Sequence, residues 1–386
     1  MFFYTIDSHK KFFKNNIHFV NKIYLLCNKV NKMKIRWAIL LSIFMFIPSI
    51  YASNSGDSTK SSTTEKLSTE EIMDAVFEHV LDAYEFHIIT IGEKHISLPL
   101  PVILIDNGKL VIFSSAKFHH GNQSYKNYKI AEEGPKEGRI VKIDNEGNII
   151  ENASLIDISI TKNVFSLFLA AILLCVILIP VGNKYKKNPD KAPKGFQALM
   201  DMIFDFIING IAKDTLPANK YWRYVPYLLT LFLFILLNNL MGIIPFFPFG
   251  ANVTGNISVT MTLAVIALIV INFSGNKNYW REIFANPNAP VWLYPILIPT
   301  EIIGMFTKPF ALMVRLFANI TAGHIIILSI VSVTFIIGSV AMAPVSILLD
   351  FFMYFIELLV AFLQAYIFTI LTSLFIGLAM PQHHEN

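Results

Sequence analysis

Charge is what this sequence has least of: Asp, Glu, Lys and Arg make up 15% of its 386 residues, where soluble globular chains carry roughly 25%. Most of the chain therefore cannot face water. Cysteine is nearly absent too. Cys27 and Cys175 stand alone with no metal-ligand spacing, which excludes a disulfide framework and any redox chemistry. No long basic face with interleaved aromatics is present, so a nucleic-acid partner is excluded. The net charge of +4 points to no acidic partner, because the charges gather before residue 164 and in short clusters. What remains is apolar: 54% hydrophobic residues, 33 of them Phe, and a mean hydropathy of +0.54. That composition rules out disorder and collagen and suits contact with lipid.

Residues 34–52, KIRWAILLSIFMFIPSIYA, have a basic start, an apolar stretch broken at Pro48 and a small residue at Ala52. This is the anatomy of a secretory signal cleaved after Ala52, with a first membrane anchor as the alternative. Residues 1–32 lack periodicity, and Met33-Lys34 reads as a normal signal start, so Met1 is read as lying too far upstream. Residues 53–163 are then exported. They open with a Ser/Thr-rich linker, 53–69. Ser68 and Glu71 form a capping box, and Ile72, Val76, Val80 and Ala83 follow at helical spacing, predicting a helix to about Glu85. PVILIDNGKLVIF holds Asn107-Gly108 between apolar runs, a hairpin signal, and RIVKIDNEGNII repeats the design around Asn145-Glu146-Gly147. The reading is a small α+β extension of about 70 residues, near the lower limit for folding alone. His79, His87, His95, His119 and His120 match no compact metal motif, so the extension is assigned no metal and no chemistry.

From residue 164 long uncharged runs alternate with short polar ones. Residues 164–182 suffice to cross about 30 Å of hydrocarbon. The lysines of NKYKKNPDKAPK place the following loop inside. Residues 196–213 differ: Asp201, Asp205 and Asn209 fall on one stripe, opposite Phe196, Leu199, Ile203 and Phe206, the pattern of a helix lying in the interface. A second span runs from about 226 to 247 and a third from 258 to 273, joined by an uncharged outer turn near Gly250-Ala251-Asn252. Lys277 and Arg281 mark the next loop as inner. The last two spans, 299–337 and 346–379, form a hairpin with a turn near 338–344. The fold class is thus an all-α polytopic membrane protein with five transmembrane helices and one interfacial helix. Its N-terminus is outside and its C-terminus inside. The fourth span's 39 residues would cover about 58 Å as a straight helix, so it must be tilted or bent at Pro309.

That hairpin carries Glu301, Lys308, Arg315, His324, Asp350 and Glu357. Ionisable groups inside a membrane are expensive, and their default reading is functional. Glu301, Lys308 and Arg315 recur every seven residues on one face, with Asn319 a turn beyond. His324 lies nine residues past Arg315, about 180° round the helix. Asp350, Glu357 and Gln364 also recur by seven, a polar stripe on the fifth span, and Asn238, Asn239, Asn256 and Thr260 add uncharged polar groups. The pattern is that of a proton relay beside a separate fixed cation. A secondary proton-coupled transporter or antiporter would also hold midmembrane charges, but 164–380 shows no paired repeat. A membrane-embedded hydrolase would need more than one imidazole and one carboxylate.

RLFANITAGH (315–324), Glu301, Lys308-Pro309, NLMGIIP (239–245) and ELLVAFLQAYIF (357–368) closely resemble the subunit a family of F-type ATP synthases, over about 164–380. The resemblance implies a non-catalytic, proton-translocating stator subunit of a bacterial inner membrane. Its partners would be a c-subunit ring, a b-subunit peripheral stalk and, indirectly, the ATPase head, and no cofactor would be needed. It implies that Arg315 is the essential arginine facing the ring carboxylate, with Asn319 and Gln364 near it. Asn239, Thr260, His324 and Glu357 would line the outer half-channel and Glu301 the inner one. Many bacterial members carry Glu where His324 stands and His where Glu357 stands, an exchange that keeps one imidazole and one carboxylate. Those members also have an acid where this chain has Gly242, and Asp350, two turns outward from Glu357, is the candidate to replace it.

Overall fold

Length and polarity together decide which helices can cross a bilayer, and among the described residues five qualify. The computed structural model describes residues 82–91, 94–119, 121, 123–131, 138–144, 146, 148–150, 155–187, 192–244, 248–284, 290–337 and 343–380. The signal segment, the Ser/Thr linker, the start of the helix expected after Ser68, and most of the 338–344 turn lie outside them. In chain order the helices are α1 (Lys162–Lys187), α2 (Phe196–Ile207), α3 (Tyr221–Ile243), α4 (Ile257–Ser274), α5 (Lys277–Phe284), α6 (Tyr294–Ile337) and α7 (Ala343–Ala379). The five spanning candidates are α1, α3, α4, α6 and α7.

Local chemistry sets several ends. Lys184, Lys186 and Lys187 complement the dipole in the last turn of α1. Asn256 caps α4, its side chain accepting from Ser258 N at 2.9 Å. α6 runs for 44 residues, five more than the span expected from sequence, and continues through Pro299 and Pro309. Each proline omits one ladder hydrogen bond without ending the helix.

The core of the bundle is apolar and continuous. Leu228, Phe232 and Ile235 of α3, Leu312 and Leu316 of α6, and Ala365, Phe368 and Ile376 of α7 bury against one another. The segment expected to lie in the interface is α2, followed by a π-helical stretch, Ile208–Ala212, and a last turn, Lys213–Thr215. The wider turn rotates Ile207, Ile208, Ile211 and Ala212 together into the core. Phe196, Leu199, Met202 and Phe206 stay exposed along the other apolar side. Gly377 of α7 admits this segment: a Cβ there would stand 2.0 Å from Thr215 O. Thr215 Oγ1 and Ser373 Oγ hydrogen-bond at 2.5 Å beside it.

Among the described residues of the extension there are seven strands: β1 (Glu85–Ile91), β2 (Lys94–Pro99), β3 (Pro101–Asp106), β4 (Lys109–Ser114), β5 (Tyr128–Ile130), β6 (Ile140–Lys142) and β7 (Leu155–Asp157). They pair as β1-β2, β4-β3-β7 and β5-β6, each antiparallel. The Asn107-Gly108 hairpin is present as read. Asp106 faces Lys109, and both turn residues take positive φ (48° and 79°), the geometry a two-residue turn requires. Around 145 the second hairpin is short: the Ile143–Ile149 bridge is flanked by Asp144 N donating to Asn148 O at 3.0 Å and Ile150 N to Lys142 O at 2.9 Å, and β6 also pairs with β5. The helix expected to reach Glu85 does not: Asp82–Tyr84 are not helical, and Glu85 starts β1. Long-range bonds explain this. The Asp82 carboxylate accepts from Ala83 N and Asn163 N, both at 3.0 Å, and Lys162 N donates to Ala83 O at 2.8 Å. The segment is thereby tied to the start of α1. Burial raises the Asp82 pKa above the usual carboxylate range.

Candidate functional site

The residues singled out on α6 and α7 separate by face. His324 and Glu357 meet: Nδ1 lies 3.1 Å from Oε1, with the Glu357 side chain 4% exposed and His324 16%. Two glycines make room for them. A Cβ on Gly323 would stand 3.2 Å from Glu357 Oε1, so the carboxylate seats against bare backbone. A Cβ on Gly242 would stand 3.5 Å from His324 Nε2 and 3.5 Å from Ala251 O. Both are ordinary van der Waals distances, so Gly242 lies directly against the imidazole and the loop carbonyl.

Asn239 is buried next to the pair. Its Nδ2 donates to Ala361 O at 3.2 Å, one turn beyond Glu357, and its Oδ1 accepts from Thr254 Oγ1 at 2.7 Å. Thr321 Oγ1 donates to Gly255 O at 3.4 Å, tying the same connection to α6. Thr254, Thr321 and Gly323 were not found from the sequence; the polar run NVTGN (252–256), in an otherwise apolar turn, was the available signal. Thr260 is fully buried, but its hydroxyl bonds Asn256 O and Ile257 O, at 3.3 and 3.1 Å, at the start of its own helix.

Arg315 and Asn319 lie on the exposed side of α6, away from the His324–Glu357 contact, with Ala311, Ala318 and Ala322 alongside. Among the described residues Arg315 has no ion-pair partner. Gln364 is buried with Glu357 on the packed face of α7. Asp350 is partly exposed, and its buried Oδ1 lacks a hydrogen-bond partner among the described residues. The structure does not join it to Glu357 by any bond.

Glu301 and Lys308 belong to the far end of the bundle. The Glu301 carboxylate, after burial, is a cause of the raised Tyr279 pKa on α5. Lys308 Nζ stands 5.4 Å over the Phe375 ring, a cation–π contact. The described residues hold no cluster of three metal-ligating side chains.

Comparison with known proteins covers both parts of the chain. The family model described as ATP synthase A chain matches residues 164–377, and a domain of unknown function matches residues 75–158. "ATP synthase subunit a 2" of Chlorobaculum tepidum is 50% identical over 230 residues, 58% of this chain and 64% of that protein. "ATP synthase subunit a" of Chloroherpeton thalassium is 45% identical over 236 residues, 60% of this chain and 68% of the relative. "ATP synthase subunit a" of Myxococcus xanthus is 40% identical over 239 residues, 60% of this chain and 77% of the relative. The chain thus spans about two thirds of the length of the first two relatives. The matched segment takes in nearly all of the five apolar helices, the outward Arg315 and both members of the buried His324–Glu357 pair, and the chain belongs to the ATP synthase A chain family.

Proposed function

We propose that this chain is the stator subunit that carries protons to and from a rotating ring of c subunits, through two half-channels separated by Arg315. The observation that carries the reading is Arg315 itself. It is a guanidinium on the outward side of a membrane-spanning helix, with no ion-pair partner among the described residues. Such a charge calls for an anion from outside the chain. A ring carboxylate supplies one. The guanidinium stays protonated at any working pH, so it favours ionisation of that carboxylate and cannot itself pass a proton. It also blocks a direct leak between the half-channels.

The outer half-channel is assigned to Asn239, Thr260, His324 and Glu357, with Asp350 toward its mouth. Within it the 3.1 Å imidazole–carboxylate contact is the step at which a proton passes between α6 and α7. The inner one is assigned to Glu301, supported by its place near Tyr279 of α5. Asn319 and Gln364 flank the arginine. A carboxylate leaving Arg315 is protonated from one half-channel and only then can face lipid, so proton-motive force sets the direction of rotation. The lysines closing α1, with Lys277 and Arg281, support a cytoplasmic side at the α1–α2 and α4–α6 connections and at the C-terminus, and an exported extension. On this reading the chain hydrolyses no ATP itself. It works in a bacterial inner membrane against the ring and a b-subunit stalk, the ATPase head being reached indirectly. Arg315→Ala and Arg315→Gln are expected to abolish proton-driven ATP synthesis in vesicles with the complex still assembled, and Arg315→Lys to fail as well, since an ammonium lacks the planar fork. Normal synthesis by the Arg315→Ala complex would overturn the proposal.

A further inference from the structure

Nothing in the relay explains why the extension rests where it does. Phe86, at the start of β1, is 3% exposed, and it is buried against Ala251 and Val253 of the α3–α4 connection. Leu98 of β2, Phe165 and Leu167 of α1, and Val259 of α4 close round this contact. The Phe86 and Phe165 rings meet edge to face at 6.0 Å. The base of the hairpin is held as well, through the Asp82–Asn163 and Ala83–Lys162 bonds to the start of α1. Ala251 and Val253 are themselves 2% and 1% exposed, so the connection is clamped between the extension and the bundle.

That connection is the wall of the relay. Ala251 O and His324 Nε2 both lie 3.5 Å from the point where a side chain on Gly242 would begin. Thr254, next to Val253, orients Asn239, and Gly255 takes the Thr321 hydroxyl one turn before His324. An apolar seat on one side of the Ala251–Gly255 stretch therefore fixes polar contacts on its other side.

We infer that the β1–β2 hairpin is a positioning element for proton transfer: by seating Phe86 on Ala251 and Val253, it holds the α3–α4 connection in the place at which His324, Glu357 and Asn239 are aligned. The inference rests on the proton-translocation reading above. The neighbours described for Phe86 include no relay group. Phe86 acts only through the loop, so its effect depends on filling the seat and not on any chemistry of its own ring.

Vesicles holding the whole complex, stripped of the ATPase head, are assayed for passive proton flux, with assembly followed by copurification. Phe86→Ala is expected to lower flux by between about twofold and thirtyfold, the range of coupling carried through packed neighbours. Phe86→Leu, which refills the seat, retains most of it. Val253→Ser reads the same contact from the loop side and lowers flux in the same way, whether or not the Phe86→Ala complex assembles. Val102→Ala, in the separate core of β3 and β4, loosens the extension without touching the loop and leaves flux unchanged. Wild-type flux in Phe86→Ala and Val253→Ser, or equal losses in Phe86→Leu and Val102→Ala, overturns the inference. Arg315→Gln is run in parallel. If it abolishes ATP synthesis while the Phe86 series is silent, the clamp alone is wrong; if it does not, the functional reading falls and the clamp with it.

Discussion

Glu357→Gln isolates the titration of the relay from its shape. Glutamine keeps the length and the polar head of the side chain, so the seat against Gly323 and the burial beside α6 survive. What is lost is the ability to hold and release a proton. In the native chain the 3.1 Å separation between His324 Nδ1 and Glu357 Oε1 lies within the distance range of about 2.6–3.2 Å for proton transfer, while neither Glu357 oxygen makes an aligned hydrogen bond among the described residues. The next acid on α7 is Asp350, seven residues away, or about 10 Å along the axis, and no single hop covers that. A water admitted to the pair can restore part of the path, so the loss is set at the lower end of what a proton-transfer group contributes, about a hundredfold in flux. The assay is passive proton flux through head-stripped vesicles with assembly confirmed. His324→Ala is expected to match it in direction. The exchange of His324→Glu with Glu357→His should recover much of the flux that His324→Glu alone loses, since either order keeps one imidazole and one carboxylate in contact. Wild-type flux in Glu357→Gln and His324→Ala would make the pair a structural contact and refute the relay.

Gly377→Ala places a methyl 2.0 Å from Thr215 O, a backbone atom that cannot step aside; it should destabilise the bundle by about 1–3 kcal/mol, read as a lower melting temperature of the complex in detergent. Lys142 donates to Asp106 at 2.6 Å and holds its carboxyl below the usual range. That contribution is present above the unfolded-state pKa of about 3.9 and is lost as pH falls through the lower folded value. Asp106→Asn should therefore speed hydrogen exchange at the β3–β4 turn by about fivefold at pH 7, the equivalent of about 1 kcal/mol, and the difference should vanish in strong acid. Reporter fusions should place residue 120 and the loop at 250 outside, and the loop at 190 and the C-terminus inside; an interior residue 120 would reverse every span.

The spans were legible because length, hydropathy and the placing of lysines are local properties. Opposite faces for Arg315 and His324 followed from helical geometry alone, since nine residues make two and a half turns. The hairpin at Asn107-Gly108 was legible for the same reason: its turn demands residues that tolerate positive φ. What the sequence concealed depends on distant partners. Nothing near Asp82 announces that Asn163, 81 positions on, will hold Asp82–Tyr84 out of helical geometry ahead of a strand at Glu85. Nor was the β1–β2 pairing read, because its apolar anchor, Phe86, finds its seat only across the fold. That the His324 ring stands beside Gly242 was equally hidden, since the two lie on separate helices far apart in the chain. The π-helical turn after Ile207 leaves no trace in an amphipathic segment that suits an ordinary helix equally well.

The spacing between Arg315 and His324 also has an electrical meaning. Nine residues amount to about 13 Å along α6, a little under half of a hydrocarbon layer about 30 Å thick. A charge crossing the whole layer gains about 2.3 kcal/mol for each 100 mV of potential. A proton moving from the His324–Glu357 contact to the level of Arg315 then gains at most about 1 kcal/mol per 100 mV, a factor of about five in occupancy. On the proposed reading, the membrane voltage would not merely push on the ring: it would load the relay, and the proton supply at the arginine would rise with potential even where the pH on the two sides is equal.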